Sequence, residues 1–424
     1  MPIPTLFVIL LGLLFKQSAY SDIIALLEQD RIQLDDDIVS VTLVPETGRY
    51  VVLGGNRERL YSYFPGEQGT IRSLDVQTLK IENEFQLPES TQFPIQVSRL
   101  TGQVLIDTGT GNISILDSDD GRALFTLQDG AELFENLIFG IEDSLLLGRI
   151  DTAYVSYNTI SDTLSPIVSS ETHYFSGNAH MELSSNGKYL KISENVIRWD
   201  KGLVIDINNG SARNLPHPFT AARMVFSPDG QKLITAGSPY EGPSHVYEFD
   251  VSTNTRRKLQ FSESPYPGGG GYYGTNLPIF FAQNSRYVAT AYSDEILYFD
   301  LELWELLEAR GWKGDEDRIV EGFLSNDLSR ITIFKESGRV FDLVVAEGHP
   351  IHSSIRQTNQ GLEIVFESRA DSHYRTQWST DFVSWELSSS GIDGTGVAIV
   401  LPYDREANQF ARIIEFNLDQ FVIE

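Results

Sequence analysis

One pattern recurs seven times between Leu43 and Phe334: a β-rich run, a short and usually polar turn, and a second hydrophobic run. The copies of the turn and second run are 47–52, 101–106, 143–147, 186–190, 229–234, 284–288 and 328–332. Their second residues are 54, 42, 43, 43, 55 and 44 positions apart. A period of about 40 to 50 residues built from short strands is typical of a β-propeller with one four-stranded blade per copy. The repeat therefore predicts an all-β, seven-bladed β-propeller.

Alternating apolar residues that end near an Asp mark the third strand of a copy, as in 112–117, 245–250 and 296–300. Period-two alternation with β-branched and aromatic residues is typical of strands in face-packed sheets. A polar turn such as Asp119-Asp120-Gly121 follows and predicts the hairpin to the fourth strand.

The segment 225–237 reads Val-Phe-Ser-Pro-Asp-Gly-Gln-Lys-Leu-Ile-Thr-Ala-Gly. It resembles the hairpin between the first two strands of WD40-like and YVTN-type β-propeller blades, where Ser-Pro-Asp-Gly forms the turn, and six weaker copies share its register. The Gly-His and Trp-Asp dipeptides of eukaryotic WD40 repeats do not recur, since Trp199-Asp200 is a single occurrence. The chain is therefore more similar to the bacterial YVTN-type group.

The last copy supplies three strands, around 319–324, 331–335 and 340–345, and lacks a fourth. An unpaired strand precedes the first copy, at 23–27 or 31–34. Adding it to the last blade would remove two open sheet edges. We therefore predict a propeller over 22–348 that its N-terminal strand closes.

The repeat stops after Pro350, so 349–360 is predicted to be a linker and 361–424 a small β-sandwich of about five strands. The pattern of Tyr374, Ser379-Thr380-Asp381 and Trp385, ending with Phe-x-Arg, resembles a C-terminal module of many secreted bacterial proteins. Large aromatic residues of this module are interpreted as core residues, with a glycan-stacking platform as the alternative. They are Trp378, Trp385 and Phe410.

The first 21 residues contain an apolar run at 6–15 followed by Ala19-Tyr20-Ser21. This is typical of a secretory signal with cleavage before Asp22, and the run is too short to span a membrane, which takes about 20 residues. An uncleaved anchor is the alternative. The chain has no cysteine, which excludes disulfides and thiol catalysis. We expect a secreted or periplasmic protein without a membrane span after cleavage.

The formal net charge is −27 and the sequence pI is about 4.6. Long-range repulsion therefore opposes binding to nucleic acid and to anionic membranes. The simple reading of this acidity is solubility; the alternative is a surface that recruits basic partners.

The two longest spacings locate insertions at 56–66 and 264–274. In the blades of the resembled family, the connections between strands two and three and between successive blades lie on one face, which implies a common face for both insertions. Loops on a rigid scaffold often carry binding residues, and Tyr and Gly give contact area at a small ordering cost. The predicted ligand-binding residues are Arg57, Arg59, Tyr61, Tyr63, Trp199, Tyr240, Tyr266, Tyr272 and Tyr273. Ordinary tolerated surface insertions are the alternative.

Motifs for cofactors and catalysis are weak. The glycines 268–271 lack the Gly-Lys-Ser/Thr ending of a phosphate loop, and the acidic runs 35–37 and 117–121 do not match the twelve-residue calcium loop. The seven histidines are scattered, and there is no Gly-x-Ser-x-Gly elbow. We predict no cofactor, no metal and no catalytic residue, although a pair of carboxylates for glycoside hydrolysis stays open.

The leading hypothesis is an exported, non-catalytic scaffold that binds a protein or glycan of the cell envelope or extracellular space. One alternative is a propeller enzyme of lactonase, lyase or glycosidase type, with its site at the channel mouth. Another is a structural envelope protein whose propeller displays the last domain. The fold alone does not separate these classes.

Overall fold

The computed structural model describes most of the chain between residues 23 and 417, and its 35 bounded elements are all β-strands. The described ranges are 23–55, 69–88, 91–130, 134, 136–140, 142, 144–151, 153–169, 180–194, 201–215, 224–237, 244–262, 277–292, 295–312, 317–351, 354–358, 361–369, 372–379, 386–387, 392–393, 397–403 and 410–417. The chain divides into two units, a larger one of residues 29–309 and 314–343 and a smaller one of 1–28, 310–313 and 344–424. Within the described ranges, no helix is long and apolar enough to cross a membrane.

Five separate four-stranded antiparallel sheets make up most of the larger unit. The first has β2 (Ile38–Val44), β3 (Arg49–Gly54), β4 (Thr70–Asp75) and β5 (Ile81–Gln86); the second has β6 (Gln92–Val97), β7 (Val104–Asp107), β8 (Ile113–Leu116) and β9 (Ala123–Leu127). The third has β10 (Asn136–Phe139), β11 (Leu145–Ile150), β12 (Ala153–Asn158) and β13 (Thr163–Ser169); the fourth has β14 (His180–Leu183), β15 (Tyr189–Glu194), β16 (Lys201–Asp206) and β17 (Ser211–Asn214). The fifth has β18 (Val225–Phe226), β19 (Lys232–Gly237), β20 (Ser244–Asp250) and β21 (Thr255–Ser262).

The remaining strands run in the order β25-β24-β23-β22-β26-β27-β28, with β1 paired to β28, and the division into units passes through β1, β25 and β28. Their bounds are β1 (Ile23–Gln33), β22 (Ile279–Ala282), β23 (Tyr287–Tyr292), β24 (Glu295–Asp300), β25 (Glu305–Gly311), β26 (Ile319–Leu324), β27 (Arg330–Lys335) and β28 (Arg339–Ile351). Neighbouring strands whose register is described are antiparallel, except for the short parallel contact of Phe281 and Ala282 with Phe323 and Leu324.

The sheets form a propeller arrangement, because each packs a face on the next sheet and the last strands pack on the first sheet. First strands of neighbouring sheets contact one another at three places, β6 with β10, β10 with β14 and β22 with β26, and β26 also contacts β2. Apolar side chains fill the space between successive sheets. Each core cluster contains buried residues of two neighbouring sheets, for example Val51 and Val104, Leu105 and Leu146, Leu147 and Leu190, Val204 and Leu233, Ile234 and Val288, and Val52 and Phe334.

Position within a sheet explains the hydrophobic patterns. The second strand β3 is buried on both faces from Tyr50 onward, and it reads as a continuous apolar run because a neighbouring sheet covers each face. The fourth strand β5 instead alternates between half-buried and exposed residues, since its outer position leaves one face exposed to solvent. Burying one such aliphatic side chain contributes about 1.5–3 kcal/mol.

The smaller unit contains two sheets around one small core. One has β29 (Ser354–Thr358), β30 (Gly361–Glu367) and β34 (Ala398–Tyr403); the other has the end of β28, β35 (Phe410–Asn417), β31 (Ser372–Ser379), β32 (Glu386–Leu387) and β33 (Ile392–Asp393). The buried core residues are Ile364, Phe366, Tyr374 and Ile413. The interval 349–360, predicted to be a linker, contains the end of β28 and all of β29. The side chains of Trp378, Trp385 and Phe410 lie outside the described part of the chain.

Candidate functional site

All nine predicted binding residues fall in connections between described strands, and all nine lie outside the described residues. Arg57, Arg59, Tyr61 and Tyr63 lie between β3 and β4, and Trp199 lies between β15 and β16. Tyr240 lies between β19 and β20, and Tyr266, Tyr272 and Tyr273 lie between β21 and β22. Their role in binding therefore stays a prediction, while the described strands define where these connections begin and end.

These connections join strand two to strand three, or strand four to the next sheet. In an antiparallel sheet, strands two and four run in the same direction and end on the same side of the sheet. The connections that follow these strands therefore all begin on that side, at the ends of the strands. We call this the loop edge. The opposite edge, which carries the turns from strand one to two and from three to four, is the turn edge.

A buried arginine anchors the base of the first insertion at the loop edge. Arg72, on β4, is only 7% exposed and forms ion pairs with Asp36 and with Glu84, whose Oε2 lies 2.5 Å from the arginine Nε. Burial disfavours the charged guanidinium, but the two carboxylates outweigh it and hold the pKa of Arg72 above its ordinary value. The arginine thus connects strand four to the segment that leads into β2.

Glycines let the chain leave β3 beside this ion pair. A Cβ on Gly54 would lie 2.4 Å from the Asp36 carboxylate, so any side chain there would have to displace this carboxylate. The Gly55 amide donates to the Asp37 carbonyl at 2.9 Å, and the Leu87 amide donates to the Gly69 carbonyl at 2.8 Å. Both ends of the 56–68 connection are therefore held to the first sheet.

Backbone and hydroxyl contacts hold the ends of the connections in the fifth sheet and β22. The Leu277 amide donates to the Ala236 carbonyl at 3.3 Å, and the Thr290 hydroxyl donates to the Pro278 carbonyl at 2.7 Å. His245 pairs with Gly237 across the base of the connection that carries Tyr240, and it is buried. These contacts fix the ends of the strands that flank the connections.

Short turns locked by side-chain hydrogen bonds form the turn edge. In the turn of the fifth sheet, the Ser227 hydroxyl donates to Asp229 Oδ1 at 2.5 Å and accepts from the Lys232 amide at 3.0 Å, while Asp229 Oδ1 accepts from the Gln231 amide. Gly230 has a φ of +68°. The Ser-x-Asx arrangement recurs at Ser184 and Ser325.

Hydrogen bonds also join these turns between sheets. The Asn186 amide side chain donates to the Asp229 carbonyl at 2.9 Å, and the Asp229 amide donates to the Ser285 hydroxyl at 2.8 Å. The Asn284 amide then donates to Asn326 Oδ1 at 2.9 Å. The turn edge is therefore a connected belt from the fourth sheet to β26.

The turns between strands three and four repeat a second motif, an Asp or Asn that caps the turn and a left-handed residue four positions later. Asp250 Oδ1 accepts from the Ser252 and Thr253 amides at 2.9 Å, and Asn254 has a φ of +60°. Burial raises the pKa of the Asp250 carboxyl, but these hydrogen bonds outweigh it and hold that pKa below its ordinary value. The other copies start at Asp75, Asp117, Asn158, Asp206 and Asp300.

This motif explains one of the two acidic runs that were weighed as calcium ligands. Asp117 accepts a hydrogen bond from the Asp119 amide at 2.9 Å, and Asp119 binds Arg49 at 2.8 Å. In the described residues, no group of three or more His, Asp or Glu side chains is arranged to hold a metal ion. The second run supplies Asp36 to the Arg72 ion pair.

Comparison with known proteins adds little to these observations. No protein-family model and no curated protein matches the sequence. A matching solved structure is the β-propeller domain of Cps50 (Swd1) from Myceliophteria thermophila, which is 10% identical, covers 75% of this chain and 99% of that chain, and has a TM-score of 0.48. At that TM-score the likeness carries no argument, so the propeller arrangement rests on the strand pairing and packing of the chain itself.

Proposed function

We propose that this protein is an exported, non-catalytic interaction scaffold that binds its partner at the loop edge. The contrast between the two edges carries the proposal. Short hydrogen-bonded turns occupy the turn edge, whereas the longest connections, 55–69 and 263–278, begin and end at the loop edge on anchored strands. Variable loops on a rigid scaffold are the usual location of binding residues.

The proposed scaffold has seven blades. The strands β22–β25 form a sixth blade, and β26–β28 with β1 form a seventh, on this proposal. Two observations support it: β22 and β26 pair in parallel through two residues only, as first strands near a common axis would, and β1 pairs with β28. The buried cluster of Leu34, Tyr50 and Phe334 supports closure between the seventh and first blades.

We further propose that the smaller unit is a β-sandwich-like module. Its core draws Phe366 from one sheet and Tyr374 from the other, with ring centroids 5.0 Å apart. Such packing of two sheets across an apolar layer is typical of sandwiches.

Export to the periplasm or the extracellular space rests on the leader sequence at 1–21. Expressing the full chain with a C-terminal reporter in a Gram-negative host tests it. We expect the reporter outside the cytoplasm and a mature N-terminus at Asp22. A reporter retained in the cytoplasm with residues 1–21 intact would contradict export without affecting the binding proposal.

A binding screen on residues 22–424 tests the ligand edge, with glycan arrays and purified envelope proteins as probes. The test variant changes Arg57, Arg59, Tyr61 and Tyr63 to Ala. Its matched control changes Arg99 and Arg122, which are exposed arginines at the turn edge, to Ala. We expect the test variant to lose a captured probe and the control to keep it; equal binding by both variants would contradict the proposal.

The same screen separates the scaffold from the enzyme alternative. A scaffold returns its bound glycan or protein chemically unchanged after prolonged incubation, as mass spectrometry would show. A cleaved or rearranged probe would instead favour the lactonase, lyase or glycosidase alternative.

A further inference from the structure

The outer strands of the second and third sheets differ from the other outer strands because they contain no charged residue. β9 reads Ala-Leu-Phe-Thr-Leu and β13 reads Thr-Leu-Ser-Pro-Ile-Val-Ser. The outer strands β5, β17, β21 and β25 each contain at least one charged residue. Two neighbouring sheets therefore share an uncharged rim in a chain whose formal net charge is −27.

Large apolar side chains are exposed along this rim. Ile160, in the hairpin that leads into β13, is 85% exposed, Leu164 on β13 is 49% exposed, and Leu124 on β9 is 43% exposed. Exposed apolar residues that are scattered singly are common on protein surfaces, whereas a group of them marks an interaction site. The position of these three side chains relative to one another therefore decides their meaning.

Strand register and ring packing bring the two outer strands together. Leu164 lies opposite Tyr157, so both side chains are on the same face of the third sheet. Tyr157 is buried and packs against Phe125 of β9, with ring centroids 6.4 Å apart. Leu164 therefore lies on the side of the third sheet that faces β9. We call Leu124, Phe125, Ile160 and Leu164 the rim patch.

The fold does not require an apolar side chain at Leu124. A β-bulge makes Leu124 the extra residue of β9, and a bulge in β5 makes Glu82 the extra residue at the equivalent place of the first sheet. Glu82 pairs with Arg49 at 2.5 Å. The same backbone position thus holds an ion-paired glutamate in one sheet and an exposed leucine in the next.

Backbone features of β9 and β13 oppose the addition of another strand. β9 has its bulge at Leu124, and β13 contains Pro166 with a change of register beside it. Bulges and prolines on outer strands are devices that prevent pairing with another chain. The rim patch is therefore suited to contact through side chains and not through main-chain hydrogen bonds.

Carboxylates surround the rim patch. Asp120, Asp129 and Asp162 are exposed and lie beside the ends of β9 and β13. None of the three forms an ion pair within the part of the chain that the structure describes, and the nearby Arg122 pairs with Asp117 at 3.8 Å. The patch is therefore an apolar surface with a negatively charged border.

We propose that the rim patch docks a basic amphipathic segment of a partner protein, separately from the loop edge. The apolar residues of the segment cover Leu124, Ile160 and Leu164. Its Lys or Arg residues meet Asp129 and Asp162, since complementary charges favour the correct partner. A symmetric contact with a second copy would instead bring like charges together, and the net charge of the chain opposes an anionic membrane.

Fluorescence anisotropy with a labelled acetyl-(Lys-Leu-Leu-Lys)3-amide peptide tests the apolar part of this surface on residues 22–424. The test variant is Ile160→Ser/Leu164→Ser. The matched control is Leu303→Ser/Leu306→Ser, which changes two exposed leucines near β25. Neither variant changes the net charge. We expect the test variant to bind at least tenfold more weakly than the original protein and the control to stay within twofold.

A second pair of variants tests the charged border. Asp129→Asn/Asp162→Asn should bind the basic peptide at least threefold more weakly. Its control, Glu302→Gln/Glu305→Gln, removes the same charge at exposed positions near β25 and should stay within twofold. The acidic peptide acetyl-(Glu-Leu-Leu-Glu)3-amide should not bind.

Several results would overturn the proposal. They are no binding of the basic peptide, equal weakening in a test variant and its control, and binding of the acidic peptide as tight as that of the basic one. Equal weakening would mean that the peptide senses only the overall negative charge. Sedimentation of the protein alone identifies a different occupant: a dimer that Ile160→Ser/Leu164→Ser abolishes would show that a second copy covers the patch, which also contradicts the proposal.

Discussion

Tyr50 and Phe334 provide a direct energetic test of ring closure, because they are 284 positions apart in sequence and meet only if the last strands pack on the first sheet. Their ring centroids are 5.1 Å apart in an edge-to-face arrangement, and both side chains are buried. Burial raises the pKa of Tyr50 to about 12, against the opposing effect of a hydrogen bond with Thr332 on β27. The burial of Tyr50 on β3 therefore depends on its contacts with β27, and that of Phe334 on its contact with β3.

The perturbation is a double-mutant cycle of Tyr50→Leu and Phe334→Leu. Each single change removes part of a buried ring, and we expect it to lower the free energy of unfolding by about 1–3 kcal/mol, below the 3–5 kcal/mol typical of Phe→Ala. An edge-to-face aromatic pair contributes about 0.5–1.5 kcal/mol beyond burial. The double mutant should therefore be less destabilised than the sum of the single mutants by about 1 kcal/mol.

Urea unfolding monitored by fluorescence and circular dichroism measures the cycle. The control cycle pairs Tyr50→Leu with Phe249→Leu, a buried ring in the fifth sheet that belongs to a different core cluster. Its two changes should add within about 0.3–0.5 kcal/mol. A coupling of zero between Tyr50 and Phe334, equal to the control, would refute the closure.

Three further predictions concern the turn edge. Gly230→Ala should destabilise the protein more than Gly48→Ala, as thermal unfolding of the two variants would show. Both glycines have left-handed backbone angles, which cost an alanine about 1–2 kcal/mol. Only at Gly230 would the new Cβ also meet Asn186, at 2.7 Å. Leu328→Gly should raise the melting temperature or leave it unchanged, because Leu328 has a φ of +64°; a clear drop would contradict the assigned strain. Asp250, whose pKa is lowered in the folded protein, contributes stability above its unfolded pKa of about 3.9 that is lost as the pH falls below it, so Asp250→Asn should flatten acid unfolding below about pH 4. An unchanged acid profile would contradict this role of Asp250.

The repeat and the positions of most strands could be predicted from the sequence. Periodic apolar runs separated by Gly, Asn, Asp and Ser reflect local backbone preferences. Each of the seven predicted turns joins two antiparallel strands that pair with each other. In the last copy the left-handed residue is Leu328, one position before Ser329, which aligns with the glycines of the other copies. Leucine rarely adopts this conformation, so its identity gave no signal.

The two ion pairs of Arg72, with Asp36 and with Glu84, were not predicted because their members are distant in sequence. Strand register brings them together, and a charge inside a strand is usually exposed. Arg72 lies directly after Ile71 in a short strand in which it is buried with its neighbours. The nine predicted loop residues carry no comparable pattern, since connections have no period that relates sequence to position.

Cross-linking of the N-terminal strand to the last strands tests the closed ring most directly. Gln33 and Ser337 are both exposed and 304 positions apart, and the Gln33 side chain donates to the Ser337 carbonyl at 2.8 Å. Because the chain has no cysteine, Gln33→Cys/Ser337→Cys creates a single possible intramolecular pair. The control is Gln33→Cys/Ser161→Cys, with an exposed partner in the third sheet. A short thiol cross-linker such as dibromobimane should join the two cysteines of the first variant in the native monomer and leave those of the control variant unlinked. Gel mobility and peptide mass spectrometry would show the difference. Equal cross-linking of the two pairs, or none in either, would contradict a ring closed by its first strand.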